Sequence, residues 1–391
     1  MSVPRTTHNL KWLAMLDDNG HRLDGRDWTH PRGDSLSLIS EIFASCGWLR
    51  KNGKPLSAQS RTDYGKRIVS SYVDLKKLGY HLQKPWNLEA RHIEALCAHW
   101  AAKGNGASIV QNKLSALSWF GAVMGKPGLV GATHGYDYHG KSMARHSAAE
   151  HDKSPEGAGY SRNEVVQRAM AEDATFGHIV LLQLALGLRD KEAIRAKVSS
   201  ADQGDHWRLP SGSGGSKGGR GRSIPLTQGP WQREAIDQVK AFVARRGKRH
   251  DKSSLGWSLG KKVVSESGRK ADGLKSDLRR YLRHAKNCGF TKQALGFTGH
   301  GMRHSFAHHQ LNVHGYVAPV KVIDGQRGLI RDAKTQQPVT SVDREAVQLA
   351  ALRTSQSLGH ARSQITAAYY GRIRFAQPSK DHRLPPTITD Q

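Results

Sequence analysis

Cysteine, acidic charge and long apolar runs are all scarce in this chain of 391 residues, and each shortage excludes something. The three cysteines, Cys46, Cys97 and Cys288, lie far apart with no CxxC pair, which argues against a disulfide framework or a cysteine-built zinc site. No stretch approaches the roughly 20 apolar residues that a membrane helix needs. The longest run, Ile179 to Leu186, is interrupted by Gln183 and reads as a buried helix. The first residues, MSVPRTTHNLKW, lack the apolar centre of a signal peptide. Asp and Glu number 33 against 60 Lys and Arg, a net charge of +27. A surface so cationic releases counterions when it binds a phosphate backbone, so the expected partner is a polyanion. Ribosomal proteins, nucleases and membrane-surface proteins share that property, so charge selects a partner class and not a function. The expectation is a cytoplasmic protein in contact with nucleic acid, with no membrane partner.

The apolar content of 37% is enough for real cores, and the length suggests two or three domains. Residues 1–35 are polar, rich in Gly, Asp and His, and form an unassigned N-terminal extension. Residues 36–130 turn helical, because apolar positions recur every three to four residues. Ser57 opens one helix with Ile68, Tyr72, Leu75 and Leu78; Ile93, Leu96, Cys97 and Trp100 mark another; Val110, Leu114, Leu117, Phe120 and Val123 mark a third. Residues 131–160 show no apolar period and read as a linker, whose histidines (His134, His139, His146, His151) lack metal-pair spacing. Ser161 and Glu164 make a capping box that starts a second domain over 161–372. Helices run on to about Val198, and again at roughly 230–246, 269–287, 301–312 and 343–357. Trp207–Leu209 and Arg222–Leu226 read as two strands joined by a Gly-rich turn, and 373–391 is a polar tail. The fold class is mainly α with a small antiparallel sheet (α+β).

Four segments of the second domain carry cations and proton donors suited to a phosphodiester. In the first, Arg189 sits at a helix junction, where its fork can grip two phosphate oxygens and Glu192, one turn on, can brace it. In the second, Lys217 lies on the Gly-rich turn of SKGGRGRSIPL and can donate a proton, which a guanidinium does not readily do. The order GxxxxGK[ST] is absent, so this is not a P-loop. In the third, His300 and Arg303 of HGMRHSFA are three apart and share a helix face. The pairs His300–His304 and His304–His308 have metal-ligand spacing, but no HExxH accompanies them. In the fourth, His360 follows Leu358-Gly359 at a turn, and Tyr369 and Tyr370 come nine and ten positions later.

Each segment has a bland reading: a surface cap, a solvated basic hairpin, core histidines, a packed tyrosine. Together and in this order they resemble the tyrosine recombinase (phage integrase) family, over roughly residues 161–372. The flavour of HGMRHSFAHHQL and LGHARSQITAAYYG is closer to element-borne integrases than to chromosome-dimer resolvases. The resemblance implies a helical core-binding domain followed by a tyrosine-recombinase catalytic domain. It implies that Arg189 and Arg303 clamp the scissile phosphate, and that Lys217 protonates the 5′ leaving oxygen. His300 would assist proton transfer, His360 would hydrogen-bond a phosphate oxygen, and Tyr369 would form a 3′-phosphotyrosyl intermediate. It further implies double-stranded DNA as partner, a homotetramer on synapsed sites, possible DNA-bending or directionality proteins, and no cofactor or metal. Adjacent helical residues point about 100° apart, so only one of Tyr369 and Tyr370 can face the phosphate. The span from Arg303 to His360 exceeds the family's usual separation and contains an insertion at about 315–342, read as strand-rich or looped. Two other functions share the composition: a type IB topoisomerase-like DNA-relaxing enzyme, and a non-catalytic DNA-binding protein.

Overall fold

A computed structural model of the chain describes residues 35–46, 56, 58–145, 147–211, 221–246, 254–258, 263–264, 270–271, 273–323, 325, 328–360 and 363–377. The chain divides into two compact units, 1–145 and 146–391. Among the described residues, no helix is long and apolar enough to cross a membrane.

In unit 1, helices α1 (Ser35–Cys46), α2 (Ala58–Lys77), α3 (Ala90–Ala102) and α4 (Ala107–Val123) enclose one core. The apolar period holds almost throughout: Ile68, Tyr72, Leu75, Ile93, Leu96, Trp100, Val110, Leu114 and Phe120 are all buried. Leu78 is the exception; it follows the last turn of α2 and is 38% exposed. Buried Asp74 staples three of these helices, accepting from Trp100 Nε1 at 2.9 Å and from Lys113 Nζ at 3.0 Å. Residues 131–145 depart from the linker reading, for Tyr138 and Met143 are buried in this core. Gln111 Nε2 donates to the Met143 carbonyl at 2.6 Å, and Lys141 Nζ to the Ala101 carbonyl at 2.8 Å. Two anchors on irregular backbone leave no period to detect, which is why the sequence looked unstructured.

Unit 2 is built around α6 (Ala174–Leu186), which follows α5 (Arg162–Glu172) and is buried on every side. Ser161 caps α5, accepting from the Glu164 amide at 3.3 Å while Glu164 returns the contact to the Ser161 amide at 2.7 Å. Two short helices follow, α7 (Asp190–Ile194) and α8 (Val198–Ala201), then an antiparallel hairpin of β1 (His206–Leu209) and β2 (Arg222–Pro225) in the register Leu209↔Arg222. Next come α9 (Pro230–Arg245), the two-residue strands β3 (Val263–Val264) and β4 (Lys270–Ala271), and α10 (Gly273–Asn287). Residues 270–271 are thus strand where a helix from 269 was expected. The unit closes with α11 (Gly301–Val313), β5 (Tyr316–Val317), β6 (Arg331–Asp332), α12 (Arg344–Ser357) and α13 (Ser363–Tyr370). The chain is therefore mainly α with small antiparallel sheets.

The insertion at 315–342 makes an apolar cluster of its own. Val320, Ile330 and Val339 pack with Leu311, Val347, Ala350 and Tyr370. Residues after α13 run along it: the Ile330 amide donates to the Arg374 carbonyl, and the Ala376 amide to the Val339 carbonyl, each at 2.9 Å. The first residues of the tail, 373–376, are thereby held against the insertion of the same chain; 378–391 lie outside the described residues.

Candidate active site

A fully buried arginine needs partners for its guanidinium, because an unpaired charge cannot be afforded in a dry interior. Arg303, on the first turn of α11, is 1% exposed and has three sets of them. Its Nε donates to the Tyr369 hydroxyl at 3.0 Å. Its Nη1 and Nη2 donate to the carbonyls of Gly187 and Leu358. Gly187 ends α6 with φ of 59°, where a Cβ would lie 2.3 Å from the Phe306 ring, so only glycine fits this turn. One side chain thus joins the ends of α6 and α12 to α13. Burial lowers the Arg303 pKa to about 10, which still leaves it charged at neutral pH.

Arg189 caps α7 and is held by Glu192 one turn later: Nη1 donates to Oε1 at 2.7 Å, and its own amide donates to Oε2 at 2.8 Å. Glu192 also takes both forks of Arg222, Nη1 at 2.9 Å and Nη2 at 2.8 Å. Burial by itself would raise the Glu192 pKa; the hydrogen bonds and charge of Arg222, with the charge of Arg189, overcome this and bring it to about 2. The other end of Arg189, Nη2, lies 3.3 Å from His360 Nε2. A guanidinium only donates, so Nε2 is the acceptor and the ring proton sits on Nδ1, which is 3.3 Å from the Thr366 hydroxyl.

Tyr369 is 7% exposed and the rings of His300, His304 and His360 surround it at centroid distances of 5.5, 4.9 and 5.7 Å. Its carbonyl, at the end of α13, accepts from His304 Nδ1 at 3.2 Å and His308 Nε2 at 2.9 Å. The i, i+4 histidine spacing serves here to hold a helix end. Burial, followed by the charges of His300 and His308, brings the His304 pKa to about 3, and burial also lowers that of His308. His300 precedes α11 and is exposed, yet the protein packed around its ring and the charges of Arg303 and Arg189 pull its pKa below the usual imidazole value. Tyr370 points elsewhere: it is 2% exposed in the insertion's apolar cluster, and burial lifts its pKa to about 12.

Of the six expected site residues, Arg189, His300, Arg303, His360 and Tyr369 come together here, while Lys217 lies outside the described residues. The sequence reading missed Arg222, His304 and His308 as parts of this cluster. For Arg222 a signal was present: on a strand, residues i and i+2 share a face, and Arg222 shares one with buried Ile224.

No protein-family model matches the chain, and no curated protein matches it. Among solved structures it is similar to a lambda integrase tetramer bound to a Holliday junction, with TM-score 0.42 and 15% identity over 71% of this chain and 69% of that one. A lambda integrase dimer bound to a COC′ core site gives TM-score 0.46 and 13% identity over 88% of this chain and 82% of that one. A Tn1549 transposon integrase in complex with a circular intermediate DNA gives TM-score 0.46 and 13% identity over 86% and 96%. These overlaps are partial, and the functional reading rests on the side chains of this chain.

Proposed function

We propose that this protein is a site-specific DNA recombinase of the tyrosine type, which cuts and rejoins strands through a 3′-phosphotyrosyl intermediate. The observation that carries the reading is the Tyr369 hydroxyl, held 3.0 Å from the guanidinium of buried Arg303 among Arg189, His300 and His360. A packing tyrosine would not need a buried cation at its oxygen. Donation from Arg303 Nε fixes that oxygen beside the cations. Arg303 and Arg189 then face the extra negative charge that develops on a five-coordinate phosphorus, and fixed donors of this kind need no reorganisation during the step.

In the reaction the Tyr369 oxygen bonds to phosphorus, the bond to the 5′ oxygen breaks, and the strand remains joined to the enzyme. His300, kept neutral, takes the phenolic proton, and Lys217 gives one to the departing 5′ oxygen. His360 donates to a phosphate oxygen from Nε2 once that nitrogen carries a proton. The phosphotyrosyl bond stores the energy of the broken strand, so rejoining needs no nucleotide cofactor. The excess of cations and the motif order support double-stranded DNA as substrate, a tetramer on paired sites and integration or excision of a mobile element.

The test is a nicked duplex that traps the intermediate, with sites recovered from a library of genomic fragments by covalent capture. Wild type and Tyr370→Phe should form the adduct, and Tyr369→Phe should not. An adduct that survives in Tyr369→Phe overturns the nucleophile, and no adduct from wild type on any fragment overturns the enzyme. Exchange between two specific sites separates a recombinase from a relaxing enzyme, which would act on supercoils without site preference.

A further inference from the structure

Two arginines share the buried carboxylate of Glu192, and they are not equivalent. Arg222 presents both Nη atoms to the two carboxylate oxygens and spends its Nε on the Ser357 carbonyl at 3.1 Å. Its side chain is 6% exposed, so it has no route to a substrate. Arg189 meets Glu192 end-on through one nitrogen and is 22% exposed. The fork-on-fork geometry belongs to the arginine that faces inward, and the outward one is left with donors to give.

We propose that Arg222 is a positioning residue that acts through Glu192: it neutralises that carboxylate, so that Arg189 is oriented by Glu192 without being cancelled by it. This inference rests on the strand-breaking reading above, in which Arg189 meets the scissile phosphate. With Arg222 in place the trio has two cations against one anion. Without it, Arg189 and Glu192 form a closed pair with no net charge to offer. Arg222 also ties three of the four motif segments together. It stands on β2 opposite Leu209, in the same sequence motif as Lys217. Its guanidinium holds Glu192 on α7, and its Nε holds the end of α12. The turn that leads to His360 lies on its aliphatic stem: a Cβ at Gly359 (φ 72°) would be 2.8 Å from Arg222 Cδ.

The test uses the full chain and a duplex that wild type has been shown to trap. Arg222→Met should slow adduct formation about 100-fold, the usual cost of one lost charge-stabilising group, and Arg222→Lys should recover part of it. A methylphosphonate at the scissile position separates charge from scaffolding, because it removes the phosphate charge that Arg189 would meet. On that substrate the gap between wild type and Arg222→Met should shrink roughly tenfold or more. A gap of unchanged size would mean that Arg222 only holds the fold, and would overturn the proposal. Should Arg222→Met fail to fold, the double variant Glu192→Gln/Arg222→Met removes the stranded charge as well. It should trap DNA faster than any soluble fraction of Arg222→Met, and a folded double variant with no detectable adduct sinks the idea. If wild type traps nothing, the strand-breaking reading falls and takes this inference with it. If wild type traps DNA and Arg222→Met matches it, this inference falls alone.

Discussion

In unit 1 the carboxylate of Asp74 is shared by Trp100, Lys113 and Lys103; in unit 2 that of Glu192 is shared by Arg189 and Arg222. Both lie in a helical core and both have their pKa driven down, by hydrogen bonds and cations that outweigh burial. The cations differ. Lysines are compact charges on flexible stems, and Lys103 keeps 46% of its side chain in solvent. They neutralise Asp74 and leave it a staple between helices. Arginine forks have direction, so Glu192 fixes where Arg189 points as well as where α7 lies. The same buried carboxylate becomes structural or functional according to whether its partners carry geometry.

The largest expected effect breaks the comparison at its centre. Glu192→Ala strands the inward guanidinium of Arg222, and should cost about 3–5 kcal/mol in chemical denaturation and more than about 100-fold in adduct formation. Asp74→Ala should cost about 1–3 kcal/mol, since Trp100 Nε1 loses its acceptor while Lys103 can turn to water, and should leave the adduct rate per bound duplex unchanged. Equal losses of chemistry in the two variants would erase the distinction. Next, Gly359→Ala reaches the Glu192 cluster from outside, by pressing on Arg222 and straining a left-handed backbone. It should cost about 2 kcal/mol and slow trapping, whereas Gly79→Ala in unit 1 (φ 86°, nothing within 4 Å of a Cβ) should cost about 1 kcal/mol and leave trapping alone.

Acid sharpens the contrast further. His304 binds a proton near pH 6.5 when unfolded and only near pH 3 in the native chain. Between those values the unfolded state holds more protons, so unit 2 should gain stability as pH rises, and His304 alone should contribute a loss of up to about 1.4 kcal/mol per pH unit as it falls. A melting temperature that stays level from pH 7 to pH 4 would contradict this, and His304→Gln should reduce the slope, with His300 and His308 supplying the rest. The smallest effect is at Lys103: its exposed pairing with Asp74 should be worth about 0.5 kcal/mol or less in Lys103→Ala.

Much of the site was legible because its links are local. Arg189 and Glu192 are one helical turn apart, and so are His300 and Arg303, so their meeting follows from helix geometry. The capping box at Ser161 and the helices of unit 1 follow equally from short-range pattern. The linker reading of 131–160 departs from the packing because Tyr138 and Met143 in unit 1, and Ala149 and Ser154 in unit 2, are buried anchors without a period. Arg222 was overlooked because its partners, Glu192 and Ser357, lie 30 and 135 positions away. His304 and His308 carry a spacing that suits a metal as well as a carbonyl, and only the position of α13 decides between them.

The choice between Tyr369 and Tyr370 marks the boundary most clearly. Sequence by itself determined most of the helices, the cationic character and the rule that two neighbouring tyrosines on a helix must face different ways. Which one faces the guanidinium was decided only by tertiary structure. The insertion at 315–342 builds an apolar cluster on one side of α13 and takes Tyr370 into it. The crossing of α6, α11 and α12 buries Arg303 on the other side, where the Tyr369 oxygen is one of its acceptors. Helix periodicity sets the angle between two side chains; the rotation of the helix about its axis is set by what packs against it.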